Sequence, residues 1–145
     1  MRSKLVKSLK HAGAIPVENL VHPGTPDINY IDGWIECKWL KAWPNKADTI
    51  VQVSRFSKGQ RWWHINRRML GGDTWFILQV NREWLLFDGA KAALYVGRAP
   101  RAELYNIACF VSKDGLTLKF VDSILSIDLP RFVMTPKDWN RLKNP

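Results

Sequence analysis

The chain has 145 residues, of which 46% are hydrophobic and 24% charged, enough for one self-sufficient core with the composition of a soluble globular protein. No apolar run approaches the roughly 18 residues of a membrane span, and the basic start "MRSKLVKSLKHAG" lacks the apolar centre of a secretory signal, so neither membrane insertion nor export is expected. The net charge of +9 is uneven, with twelve basic against five acidic residues through Arg68 and ten against eight afterwards, which favours a surface for a phosphate-rich polymer over simple solubility.

In chain order, basic residues alternate with Leu5, Val6 and Leu9 at helical spacing over 2–12, and Gly13 is a natural stop. "AIPVENLV" reads as a strand whose Pro16 suits an edge, and "HPGTP" as a turn. Two short strands follow around Asp32-Gly33, the strongest two-residue hairpin signal in the chain, and "KAWPNKADT" is a loop. The spacing predicts a helix from Ser57 to Leu70, closed by Gly71-Gly72, then strands "TWFILQV" and "EWLLFD" joined by Asn81-Arg82. Beyond them a short helix at 89–96, strands near 105–111 and 116–121, and a helix opened by "TPKD" are expected. The order αβββαβ with a β-rich C-terminal extension makes an α/β fold: a mixed sheet flanked by helices in one domain of 1–145. Its core would be about 2–80, with an extension of unknown role at 82–145. Two cysteines, Cys37 and Cys109, and the scattered histidines His11, His22 and His64 spell neither a disulfide framework nor a zinc site. A reducing cytoplasm is the expected location.

The hairpin "PDINYIDGWIECKW" carries Asp27, Glu36 and Lys38 among apolar residues. With Asp32-Gly33 as the loop, Ile31 pairs with Trp34, Asn29 with Glu36, and Asp27 with Lys38. Side chains alternate along strands, so Asp27, Asn29, Glu36 and Lys38 share one face, and Ile28, Tyr30, Ile35, Cys37 and Trp39 form the core face. Asp27 and Glu36 are then diagonal neighbours about 7–8 Å apart at the backbone, close enough for both carboxylates to reach one ion. Paired carboxylates suit a divalent cation such as Mg²⁺, which takes oxygen ligands and substrate phosphate. The lysine beside them can orient a water or meet developing negative charge.

"PD" at Pro26-Asp27 and "ECK" at Glu36-Cys37-Lys38, with a basic helix following, resemble the PD-(D/E)xK nuclease superfamily. The resemblance covers about 2–80. "GTPD", "IECK" and "SKGQRWWHINRRMLGGDTWFILQV" are most similar to its small phage, VRR-NUC and Holliday-junction-resolvase-like branch. It implies a restriction-endonuclease-like core and Mg²⁺ or Mn²⁺ on Asp27 and Glu36, with the backbone carbonyl of Cys37 as a further ligand. Lys38 would be catalytic, and Gln60 would accompany the site from the next helix. Many members supply another acid from the first helix; here only Glu18, after that helix, is available, which leaves its role open.

The implied activity is metal-dependent hydrolysis of DNA phosphodiester bonds by an endonuclease of phage or mobile-element origin, on branched or single-stranded DNA. The alternative is a non-catalytic DNA-binding module on the same fold. Cutting two strands needs two sites, so a homodimer is expected by analogy. Lys41, Arg55, Lys58, Arg61 and Arg67 are the candidate phosphate contacts, and Trp34, Trp43 and Trp63 are candidates to stack on unpaired bases.

Gln60 has a second reading, as the reciprocal partner of Ser57 in a capping box. On its helix, Trp62, Ile65 or Asn66, and Met69 are expected to face inward, with Gln60, His64, Arg67 and Arg68 to one side. His64 is read as a surface polar residue rather than a general base. The thiol of Cys37 faces the core, where no histidine is placed to activate it.

Overall fold

The computed structural model describes residues 1–19, 21–22 and 24–143. Leu20 and Pro23, which fall in the strand and turn expected between positions 14 and 26, lie outside the described residues, as do Asn144 and Pro145.

The helical start at α1 (Arg2–Ser8) continues as a 3-10 turn to Ala12 and stops at Gly13, whose φ of 73° is a left-handed conformation that glycine adopts freely. Strands β1 (Ile15–Pro16), β2 (Ile28–Tyr30) and β3 (Gly33–Leu40) follow, then α2 (Lys58–Met69), β4 (Asp73–Val80) and β5 (Glu83–Asp88). The rest of the chain forms α3 (Gly89–Tyr95), α4 (Arg101–Ile107), β6 (Phe110–Ser112), α5 (Leu118–Ser126) and α6 (Pro136–Lys143). Among the described residues six strands make one mixed sheet in sequence order, in which only β3 and β4 are parallel. A parallel pair needs a crossover, and α2 lies in it.

Alternation along β4 explains the layers. Phe76, Leu78 and Val80 point to one face, where Ile65 of α2 and Ala90, Ala93 and Leu94 of α3 cover them. Trp75 and Ile77 point to the other, against Leu5 and Leu9 of the N-terminal segment and Phe120 and Ile124 of α5. Each fully buried Leu, Ile, Val or Phe among them contributes about 1.5–3 kcal/mol relative to exposure, so both helix layers are held by many such increments. No helix among the described residues is long and apolar enough to cross a membrane.

Four expectations are corrected. The expected strand over 14–21 is reduced, among its described residues, to Ile15–Pro16. The C-terminal part is mainly helical: the expected strands near 105–111 and 116–121 are replaced by α4, a three-residue β6 and α5. Thr117 caps α5 by accepting from the Phe120 amide, and the buried Phe120, Val121 and Ile124 recur at helical spacing.

The hairpin turns at Ile31-Asp32, with Tyr30 paired to Gly33 and Asn29 to Trp34. A Cβ on Gly33 would lie 2.0 Å from the Asp73 carbonyl oxygen, so this glycine serves the close approach of β3 to β4 rather than the turn. Partners move by two residues, which preserves side-chain parity. The last correction is Trp39, which is 58% exposed because the cluster on its face ends at Cys37.

Candidate functional site

Parity places Trp34, Glu36 and Lys38 on the α2 face of β3, level with Thr74, Phe76 and Leu78 of β4. The β2–β3 pairing ends at Ile28 and Ile35, and Asp27 and Glu36 are the next residues of the two chain segments beyond it, in place of the diagonal pair expected within the ladder. There the Asp27 carboxylate takes the place of the ladder: Oδ2 accepts from the Cys37 amide at 2.9 Å. Amide and carbonyl of one strand residue point to the same side, so the Cys37 carbonyl also lies on the β2 side of β3.

Glu36 is 1% exposed. Its Oε1 accepts from Lys38 Nζ at 2.9 Å and from Gln60 Nε2 at 3.2 Å, while its buried Oε2 has no partner among the described residues. Burial first, and then the neighbouring negative charge of Asp27, push its carboxyl up to about 7 against the opposing pull of Lys38. A shift of that size disfavours the charged form by about 3 kcal/mol. The carboxylate therefore lacks a positive partner on its Oε2 side.

Lys38 also donates to the Arg55 carbonyl at 2.9 Å. That carbonyl is delivered by an unusual backbone: Arg55 has φ 61°, seldom adopted outside glycine, next to Phe56, which is buried under the Arg61 guanidinium. An ammonium has three donors; two of Lys38's are engaged, and the third has no partner among the described residues.

Gln60 both closes the capping box and touches Glu36. Its amide N–H bonds Ser57 Oγ and its Oε1 accepts from the Ser57 amide, closing the capping box, while its Nε2 reaches Glu36. The cap holds the side chain that touches the site.

Glu18 is exposed and turned to Arg2, at 3.7 Å; Arg2 also lies 3.9 Å from Asp27. The first helix thus brings a cation to this edge where the resemblance implied an acid. Nothing in the sequence pattern marked Arg2. Among the described residues no group of three His, Cys, Asp or Glu side chains could hold a metal ion, so the oxygen set is two carboxylates and a main-chain carbonyl.

The inward stripe of α2 differs from expectation. Arg61, His64, Ile65 and Arg68 are buried, whereas Trp62 and Met69 are only partly so. Arg61 is corrected as a phosphate contact, since its Nη1 donates to the carbonyls of Ala93 and Val96. Arg68 pairs with Asp88 at 3.1 Å and donates to the Pro130 carbonyl. His64 is corrected as a surface residue: it is fully buried, with Nδ1 2.9 Å from Thr74 Oγ1. Burial, helped by the Lys38 charge, pushes its pKa down to about 3, so it is neutral. Lys41, Arg55, Lys58 and Arg67 are exposed. Trp43 donates to Glu83 and packs on Tyr105, a structural role in place of the base-stacking one. The Cys37 thiol packs toward the apolar cluster, where burial raises its pKa and keeps it inert.

Comparison of the chain with protein families, with characterised proteins and with solved structures finds no match.

Proposed function

We propose that this chain is a metal-dependent DNA endonuclease with a restriction-endonuclease-like core, in the manner of the PD-(D/E)xK superfamily. One observation carries the reading: the Oε2 of Glu36 is buried and unpartnered among the described residues, with Lys38 bonded to the other oxygen and the Asp27 carboxylate bonded to the amide of the next residue, Cys37. A buried carboxyl oxygen without a partner is costly, and a cation shared with Asp27 and the Cys37 carbonyl would satisfy it. The set is oxygen only, which fits Mg²⁺ or Mn²⁺ completed by water and substrate phosphate.

Asp27, Glu36 and the Cys37 carbonyl would hold that ion, which when bound supplies charge neutralisation at a phosphoryl oxygen and a more acidic water. Gln60 and Lys38 fix the orientation of Glu36 through its Oε1. The Arg55 carbonyl in turn fixes Lys38, so its remaining N–H meets an attacking water or the charge growing on the phosphate. Exposed Lys41, Arg55, Lys58 and Arg67 bind backbone phosphates. A homodimer would cut both strands, in a reducing cytoplasm where Cys37 and Cys109 remain free thiols.

Incubating the protein with duplex, flap, junction and single-stranded DNA, with and without Mg²⁺ or Mn²⁺, tests this. Metal-dependent cleavage of at least one substrate is expected. No cleavage by the folded protein on any of them would leave only a DNA-binding module.

A further inference from the structure

Two tryptophans stand beside the candidate site. Trp34 precedes Glu36 by two residues on the same strand face, about 6.6 Å along β3. Trp63 follows Gln60 by three residues on α2, a spacing that puts neighbours on one side of a helix. Their rings meet edge to face, 5.5 Å apart at 70°. Beside them lies a cleft of about 470 Å³ lined by Trp34, Trp63, Arg67, Asn19, His22 and Thr25, and Thr25 lies two residues before Asp27. The cleft and the carboxylates thus share the same segments of chain.

The chemistry of the lining is specific. Two indoles at a steep angle form a corner, so a flat ring stacked on one presents its edge to the other. The Arg67 guanidinium lies 4.7 Å over the Trp63 ring, exposed and able to meet a phosphate. No acidic residue among the described residues lines the cleft. Trp75, by contrast, is buried with its N–H on Tyr30, and Trp43 is bonded to Glu83; the indole N–H groups of Trp34 and Trp63 have no partner among the described residues. A cleft with aromatic walls and a cationic rim is complementary to a nucleobase with its phosphate.

We propose that the Trp34–Trp63 cleft takes one unpaired nucleobase next to the bond to be cut, which makes single-stranded or locally unpaired DNA the substrate. The proposal rests on the nuclease reading of Asp27, Glu36 and Lys38 for its position beside a scissile bond. In a duplex the faces of a base are covered by its neighbours, so a base must leave the stack before it enters the corner. Selectivity then follows from the cost of unpairing, with no need for base-specific hydrogen bonds.

The test reads binding with metal chelated, so it does not depend on catalysis. A short labelled single strand, the same strand with an abasic nucleotide at each position in turn, and the matching duplex are titrated with the full chain. The wild type should bind the single strand more tightly than the duplex, and one abasic position should weaken it about tenfold. Trp63→Leu and Trp34→Leu should each cause a similar loss on the intact strand, and the abasic position should add no further loss in either variant. Duplex affinity should stay within about twofold in both. Arg67→Ala, at an exposed site that does not threaten folding, should weaken single-strand binding and reduce its salt dependence. Equal losses on strand and duplex, unchanged binding by the folded variants, or indifference to every abasic position would overturn the proposal. Base-dependent binding without cleavage of any DNA would sink the nuclease reading and leave the cleft as a base-binding site.

Discussion

Gln60 Nε2 lies 3.2 Å from Glu36 Oε1, and the Oε1 of the same amide accepts from the Ser57 amide. One side chain therefore closes the first turn of α2 and fixes the buried carboxylate of β3. Gln60→Ala should cost about 1 kcal/mol of stability through the cap, measurable by denaturant unfolding, and should lower cleavage by more than that loss explains. A Gln60→Glu change keeps a capping acceptor but sets a second negative charge beside Glu36. Cleavage at the wild-type rate by folded Gln60→Glu would separate Gln60 from the site.

Asp27→Ala and Glu36→Gln should each abolish metal-dependent cleavage while leaving DNA affinity largely unchanged. Glu36→Gln carries a second expectation, because burial makes the ionised carboxylate costly. Above pH 7 and without metal, this variant should be at least as stable as the wild type. Full activity in either mutant would remove the assignment of these residues.

Lys38→Met is expected to lower kcat and kcat/KM together, by about a hundredfold or more, with little change in DNA binding. Lys38→Arg should rescue poorly, since a planar fork does not reproduce a compact ammonium held between Glu36 and the Arg55 carbonyl. Single-turnover cleavage by folded Lys38→Met near the wild-type rate would show that its charge is incidental.

Arg67 and Arg61 should behave oppositely although both are on α2. Exposed Lys41, Arg55, Lys58 and Arg67 predict affinity that falls with salt, by a log–log slope of about −0.9 per duplex phosphate or −0.7 per single-strand phosphate contacted. Arg67→Ala should shrink that slope by about one contact. Arg61→Ala should leave the slope alone and lower stability by about 1–3 kcal/mol, because the Val96 carbonyl loses its side-chain donor and the Ala93 carbonyl keeps only Arg98 of two. Binding titrations across salt, paired with urea unfolding, read both effects.

The folded pKa of His64 is lowered from 6.5 to about 3, so between these values the unfolded chain binds more protons than the folded one. Its contribution to stability is full above 6.5, falls with decreasing pH at up to about 1.4 kcal/mol per unit, and is gone near 3. His64→Gln should flatten the pH dependence of unfolding in that window relative to the wild type; an unchanged slope would contradict the buried neutral ring. Gly89→Ala should destabilise as well, since its Cβ would lie 2.1 Å from Thr74 Oγ1 and 2.4 Å from His64 Nδ1.

Local pattern was enough for several features because each depends on near neighbours in the chain. Alternation along β3 put Glu36 and Lys38 on one face, where they pair, and this survived a misplaced turn because the register moved by an even step. The Ser57–Gln60 cap, the Asn81-Arg82 hairpin and the boundaries of α2 were likewise legible. Other features needed groups that meet only in three dimensions. Gly33 is demanded by the Asp73 backbone across the sheet, not by the turn beside it. Arg61, His64 and Arg68 can be buried because Ala93 and Val96 carbonyls, Thr74 and Asp88 arrive from later segments to pair with them; periodicity assigns polar residues to solvent because it cannot see those partners. The same holds for Arg2 beside Asp27 and for Trp34 against Trp63. Which charges share a strand face follows from a local period of two, whereas which buried polar group is paired, and which carboxyl oxygen is left without a partner, depends on contacts between distant parts of the chain.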